Sequence, residues 1–125
     1  MQWLNTIVDE LIARHPDGEI LIESGGSPSG TYHLGHMREL VTCDAIMLEL
    51  QRRGRAAKHI YFVDDLDGFR KVPGNVPEEW SQYLGMPLCD VPSPSGAAGE
   101  SYADHFLQGL KDSCTALHID VEFVL

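Results

Sequence analysis

Apolar positions at the start of the chain recur with a helical period. Trp3, Ile7 and Leu11, flanked by Leu4, Val8 and Ile12, predict an amphipathic helix from Trp3 to Ala13, closed by Pro16-Asp17-Gly18. The pattern then changes. Glu19 to Glu23 (EILIE) is too short for a helix and rich in isoleucine, which predicts a strand stopped by Ser24-Gly25-Gly26. Helical spacing returns from Leu34 to Arg53, with Leu34, Met37, Val41, Ala45 and Leu48 on one stripe, Arg38, Glu39, Thr42 and Glu49 opposite, and Gly54 as the stop. Asp44 falls beside that stripe and reads either as a buried acid with a specific partner or as a residue at the interface edge. Lys58 to Asp64 (KHIYFVD) predicts a second, buried strand.

Strand, glycine loop, helix and strand over residues 19–64 make a βαβ unit, with parallel strands and a right-handed crossover. Residues 65–99 hold every proline except Pro16 and Pro28 and predict an irregular insertion, with a short helix around Glu78 to Leu84. Ser101 to Leu117 regains helical spacing through Tyr102, Phe106, Leu110, Cys114 and Leu117. Ile119, Val121, Phe123 and Leu125 then alternate as a third strand. The expectation is an α/β fold with a Rossmann-like parallel sheet, divided into a leading helix (1–18), the βαβ unit (19–64), an insertion (65–99) and a helix with a third strand (100–125). A buried parallel strand needs cover on both faces, so three strands predict an incomplete doubly wound sheet, the N-terminal portion of a larger domain.

Composition narrows the partners. In 125 residues, 43% of them hydrophobic, 9 Lys+Arg face 19 Asp+Glu, a formal net charge of -10. The second half carries most of it: six basic against eight acidic side chains over residues 1–63, three against eleven over 64–125. Such a surface repels a phosphate backbone, and the basic cluster of Arg52, Arg53, Arg55 and Lys58 reads as a solvated helix end. The three cysteines, Cys43, Cys89 and Cys114, include no CxxC pair and signal neither a disulfide framework nor a zinc ribbon. The start lacks the pattern of a signal peptide, and no apolar run approaches the roughly 20 residues of a membrane span. A cytoplasmic protein with no membrane partner is expected; no oligomeric state follows from the sequence.

The candidate chemistry lies in SGGSPSGTYHLGHMREL, residues 24–40, between the first strand and its helix. Gly25, Gly26, Gly30 and Gly35 permit close approach of a ligand or backbone, and positive φ. Pro28 sits within Ser27-Pro28-Ser29-Gly30 where a type I turn wants it. His33 and His36, three apart at the opening of the helix, can face one point beside its free N–H groups, where an anion is stabilised. A triphosphate suits that point, because two imidazoles and a positive helix terminus stabilise charge developing on a transferring α-phosphate. The Gly-Lys-Ser/Thr end of a P-loop and the dinucleotide pattern GxGxxG are both absent. The plainer alternative has His33 capping a turn and His36 solvated. A metal site is disfavoured, since no third ligand stands nearby.

The HLGH at residues 33–36, preceded by SPSG, resembles the HIGH signature of class I aminoacyl-tRNA synthetases and of the related HxGH nucleotidylyltransferases. Residues 64–88 (DDLDGFRKVPGNVPEEWSQYLGMPL) and 100–106 (ESYADHF) resemble, more narrowly, the class I lysyl-tRNA synthetases, the archaeal type also found in some bacteria. The likeness covers nearly all of residues 20–125. It implies a HUP-type nucleotide-binding sheet, adenylation of lysine by ATP with Mg2+, and transfer to tRNA(Lys). It also implies that His33 and His36 contact the ATP phosphates in the transition state. Pro28, Ser29, Gly30 and Gly35 complete the ATP site, Gly35 leaving room for the nucleotide. Gly25 and Ser27 stand where the family's Gly-Ile-Thr or Gly-Ile-Ser contacts lysine, and His36 stands where archaeal members commonly have Asn. The family's chains are several times longer and carry a KMSKS-type loop and an anticodon-binding region that this sequence lacks. Weak ATP binding and no efficient activity are therefore expected of it alone.

Asp64, Asp65 and Asp67 follow the second strand, at the edge where ligands of open α/β sheets bind. They read either as recognising a cationic lysine group, with Asp64 and Asp65 as the candidates, or as a capped, solvated turn. Arg70 and Lys71 either approach phosphate or neutralise those aspartates. Some archaeal members bind zinc through an Asp in a Pro-Asp-Pro segment, a Cys-His pair and the His of SYAEH. Here Ser93 replaces the Asp, Ala97-Ala98-Gly99 surrounds the Cys-His position and His105 alone remains, so no structural zinc is expected. A stand-alone HxGH nucleotidylyltransferase and a non-catalytic synthetase-like fragment are the alternative readings.

Overall fold

The computed structural model describes residues 1–74 and 76–125; Asn75, within the FRKVPGNVP stretch that carries the resemblance, lies outside the described residues. The order is α1 (Gln2–Arg14), β1 (Ile20–Gly26), α2 (Leu34–Arg52), β2 (Ala57–Val63), a 3-10 helix (Glu78–Tyr83), α3 (Tyr102–Ala116) and β3 (Glu122–Val124). The strands form a parallel sheet in the spatial order β1-β2-β3. This is an α/β fold with a partial Rossmann-like sheet. No described helix is long and apolar enough to cross a membrane.

β1 runs farther than EILIE predicts. Ser24, Gly25 and Gly26 pair in register with Tyr61, Phe62 and Val63. A Cβ on Gly25 would lie 2.7 Å from the Phe62 carbonyl oxygen, so glycine is what lets the two backbones approach there. The glycines therefore extend the strand and carry Ser27 to the C-terminal edge of the sheet. The expected positive φ is not used at Gly25, Gly26, Gly30 or Gly35; among the described glycines it occurs at Gly18, Gly54, Gly85, Gly96 and Gly99. Gly54, at φ 81°, follows the last turn of α2 and ends it.

Burial alternates along both long strands. Ile20, Ile22 and Ser24 of β1 and Ala57, His59, Tyr61 and Val63 of β2 are buried, while Leu21 and Phe62 are exposed. β2 is thus covered on one face, not on both as expected of a buried parallel strand. The reason is topological: two right-handed crossovers stepping in one direction place α2 and α3 on the same side. There Leu40, Tyr61, Leu107, Leu110 and Cys114 form one apolar cluster. A second cluster joins Val8 of α1 to Ile20, Ile22, Met47 and Leu50.

The helix stripes need correction. In α2 the buried positions are Leu40, Met47 and Leu50, whereas Leu34 is 86% exposed and Val41 and Leu48 about half exposed. Apolar residues occur nearly all round this helix, so spacing alone offers two stripes, and contact with β1 and α1 selects the second. Asp44 lies on the covered side, with Oδ1 buried and unpartnered among the described residues. Burial raises its carboxyl, against a backbone hydrogen bond from Asp120 and the nearby His59. In α1, Val8 is buried with Leu4, Leu11 and Ile12 beside it, while Trp3 and Ile7 are exposed. The basic cluster is used internally. Arg53 bonds Glu49 at 2.9 Å and Asp9 at 2.5 Å, and Arg55 donates to the carbonyls of His15 and Gly18, tying the end of α2 to α1. β3 is shorter than predicted, because only Glu122–Val124 pair with β2; Ile119 is buried ahead of it in the core.

Candidate functional site

β1 delivers the chain to the N-terminus of α2, where the two histidines meet. His33 is the N-cap, in extended conformation, and its Nδ1 accepts a hydrogen bond from the Gly35 N–H at 3.0 Å. His36 Nδ1 accepts in turn from the His33 N–H at 3.1 Å. This is a capping box built from two imidazoles, with ring centroids 4.1 Å apart. An acceptor Nδ1 on a neutral ring puts the proton on Nε2. Both side chains therefore offer an Nε2–H donor at the positive end of α2, whose Gly35 N–H is taken by His33 Nδ1 and whose His36 and Met37 N–H groups bond the His33 carbonyl. Capping, the plainer alternative in the sequence, is what the structure shows, and it is shared by both histidines. A Cβ on Gly35 would lie 2.8 Å from His33 Cε1, so the room this glycine leaves is taken first by the His33 ring folding back on the helix.

The loop leading to this cap is held from β2. Ser27 Oγ donates to Asp67 Oδ2 at 2.8 Å, while Asp67 Oδ1 accepts from the Gly68 N–H at 2.9 Å and Arg70 Nη2 at 2.6 Å. These donors, Ser27 first, hold the Asp67 carboxyl below its ordinary range. Asp64 and Asp65 act through backbone: the Asp64 N–H donates to the Gly26 carbonyl at 3.1 Å, and the Asp65 carbonyl accepts from the Cys89 N–H at 3.0 Å. Neither of their carboxylates makes a hydrogen bond or ion pair among the described residues. Asp67 was the least prominent of the three in the sequence, and its spacing of three from Arg70 was the available signal. Pro28 is buried, Gly30 is half-buried and Ser29 is exposed; the Ser29 carbonyl accepts from the Tyr102 hydroxyl at 3.1 Å. At the edge of β1 the Gly25 N–H donates to Glu39 Oε1 at 3.3 Å.

Beneath the site, Ser24 Oγ lies 2.7 Å from His59 Nε2, with both residues buried. Burial lowers the His59 pKa, against the opposing influence of Asp44 and Glu39. Around Ser93 and His105, Glu100 accepts from Ser93 and, at 2.7 Å, from Ser95, and stands 3.6 Å from His105 Nδ1. Among the described residues no group of three or more His, Cys, Asp or Glu side chains is placed to hold a metal ion.

Known proteins resemble the chain along its whole length. The family described as tRNA synthetases class I (K) matches residues 1–125. A lysine--tRNA ligase of Pyrococcus horikoshii is 42% identical over 125 residues, covering 99% of this chain and 24% of the relative. That of Archaeoglobus fulgidus is 43% identical over 122 residues, covering 98% of this chain and 24% of the relative. A bacterial one, from Streptomyces coelicolor, is 37% identical over 128 residues, with 96% and 22% covered. The chain thus spans about a quarter of the length of the curated relatives it matches. With a parallel sheet leading into a histidine-capped helix and a family match from end to end, this chain belongs to the class I (K) tRNA synthetases.

Proposed function

We propose that this chain supplies the ATP- and lysine-binding part of a cytoplasmic lysine--tRNA ligase, which forms lysyl-adenylate and passes the lysyl group to tRNA(Lys). The observation that carries the reading is the doubled histidine cap. ATP enters as substrate with its α-phosphate at the N-terminus of α2, where the Nε2–H groups of His33 and His36 donate to its oxygens. A carboxylate oxygen of lysine attacks the α-phosphorus, the bond to the bridging oxygen breaks, and pyrophosphate leaves with that electron pair. Charge that builds on the phosphoryl oxygens meets donors already in place, which is where preorganised hydrogen bonds accelerate a reaction most. Mg2+ bound to the triphosphate would neutralise part of its charge. Pro28, Ser29, Gly30 and Gly35 shape the approach to the cap.

Lysine lies at the C-terminal edge of β1, against Gly25 and the Ser27 hydroxyl. Asp67 fixes that hydroxyl, and Asp64 and Asp65 leave their carboxylates for the cationic substrate. A hydroxyl already donating to Asp67 presents its oxygen as an acceptor to the substrate ammonium. The test is ATP titration followed by the 31P shift of the α-phosphate and by the imidazole Hε1 signals of His33 and His36. Both should move together, and His33→Ala with His36→Ala should abolish the effect. In a full-length ligase that carries this sequence, loss of either histidine should cost about 10²-fold or more in lysine-dependent exchange of labelled pyrophosphate into ATP. Exchange that ignores lysine and requires CTP or a phosphorylated acceptor would point to a stand-alone nucleotidylyltransferase instead, and no nucleotide binding at all to a non-catalytic role.

A further inference from the structure

Among the buried polar atoms without a hydrogen-bond partner in the described residues, two belong together, His59 Nδ1 and Asp44 Oδ1. His59 is buried on the covered face of the sheet, between Ile22 of one apolar cluster and Tyr61 of the other. Asp44, on α2, is near enough to act on the charge of His59, and the Asp120 N–H just before β3 reaches the same carboxyl. Burying an unpaired polar atom is costly, and an N–H donor beside a carboxylate removes that cost by bonding it. The other ring nitrogen is already committed. His59 Nε2 lies 2.7 Å from Ser24 Oγ, although the register partner of His59 is Ile22 and Ser24 stands two residues farther along β1. The ring thus reaches diagonally to the end of the strand that carries Gly25 and leads to Ser27.

We propose that Asp44 takes the Nδ1–H of His59, that His59 Nε2 accepts from the Ser24 hydroxyl, and that this chain of three side chains holds the end of β1 in place for lysine. An anionic acceptor on one nitrogen selects the tautomer and orients the ring, so the other nitrogen becomes a fixed acceptor. Asp44 and His59 are positioning residues: they act through Ser24 on Gly25 and Ser27, and their role rests on the lysine site proposed above. Long-range 1H–15N spectra of the histidine rings, recorded on the chain at neutral pH, read the tautomer directly. His59 should carry its proton on Nδ1, unlike His33 and His36, whose Nδ1 atoms accept. Asp44→Asn keeps an acceptor and should keep that tautomer, whereas Asp44→Leu should release it. In a full-length ligase that carries this sequence, Ser24→Ala should raise the KM for lysine about fivefold, the loss of one hydrogen bond, and leave the KM for ATP unchanged. A residue that serves only the fold would move both constants or neither. His59 protonated on Nε2, or held on Nδ1 in Asp44→Leu, overturns the proposed bonding. An unchanged KM for lysine in Ser24→Ala, or a rise in both constants, overturns the positioning role. Exchange that ignores lysine in the unaltered ligase overturns the reading of the lysine site and the positioning role with it, while the His59 tautomer still decides the bonding.

Discussion

A buried imidazole leads the response of this chain to mild acid, opposed by the neighbouring Asp44 carboxyl, which burial raises and which the folded state therefore protonates first. His59 is 2% exposed, its Nε2 is engaged with Ser24, and its Nδ1 is buried with no partner among the described residues. Burial is the main cause of its lowered pKa, so the folded state holds the neutral ring while the unfolded chain protonates it near the ordinary value of about 6.5. Between those two values the unfolded state binds more protons, and stability must fall as the pH falls. The carboxylates that the fold holds low, Glu49, Asp67, Glu100 and Asp104, titrate below their ordinary range and act only in stronger acid. Thermal unfolding should therefore show a falling Tm from pH 7.5 to 5.5, and His59→Gln should flatten that slope whatever it does to the Tm itself. A wild-type Tm independent of pH over this range would remove His59 from the account.

At the level of elements, α2 combines two duties in its first turn that substitutions can separate. His33→Ala removes an N-cap acceptor and should cost about 1 kcal/mol of stability, as loss of other capping side chains does. His33→Ser restores an acceptor for the helix N–H groups but brings no Nε2–H. It should recover most of the stability in a denaturant titration while leaving the 31P response to ATP absent. Equal recovery of both would mean that the histidine serves only the helix.

The HLGH spacing made this turn legible, because two imidazoles three residues apart on a helix face one point in any fold. Asp67 was less so: its bond to Ser27 spans 40 residues and depends on how β2 ends against the loop after β1. β1 extends past its apparent stop for a related reason. Gly25 and Gly26 look like a stop until the close approach of Phe62 is known. In α2 the exposed apolar residues Leu34, Val41 and Leu48 are as regularly spaced as the buried ones, so the stripe is chosen by what packs on it rather than by sequence.

The whole molecule keeps its helices on one side of the sheet, and the other side decides how the chain behaves at high concentration. Leu21 is 57% and Phe62 45% exposed on that uncovered face, and Leu125 beyond β3 is 68% exposed. The edge of β1 is partly blunted, since Glu39 takes the Gly25 N–H and a carboxylate there discourages a further strand. A net charge of -10 also opposes contact between copies, but only over about a Debye length, near 10 Å at 0.1 M salt. Raising the salt should then promote self-association, the reverse of what an ion-paired interface would do. In sedimentation velocity the chain should associate more at 0.5 M than at 0.05 M salt. Leu21→Lys with Phe62→Lys should suppress that association and cost no more than about 1 kcal/mol of stability per site, because each side chain is about half in water. Association that weakens with salt, or that persists in the double variant, would place the contact on another surface.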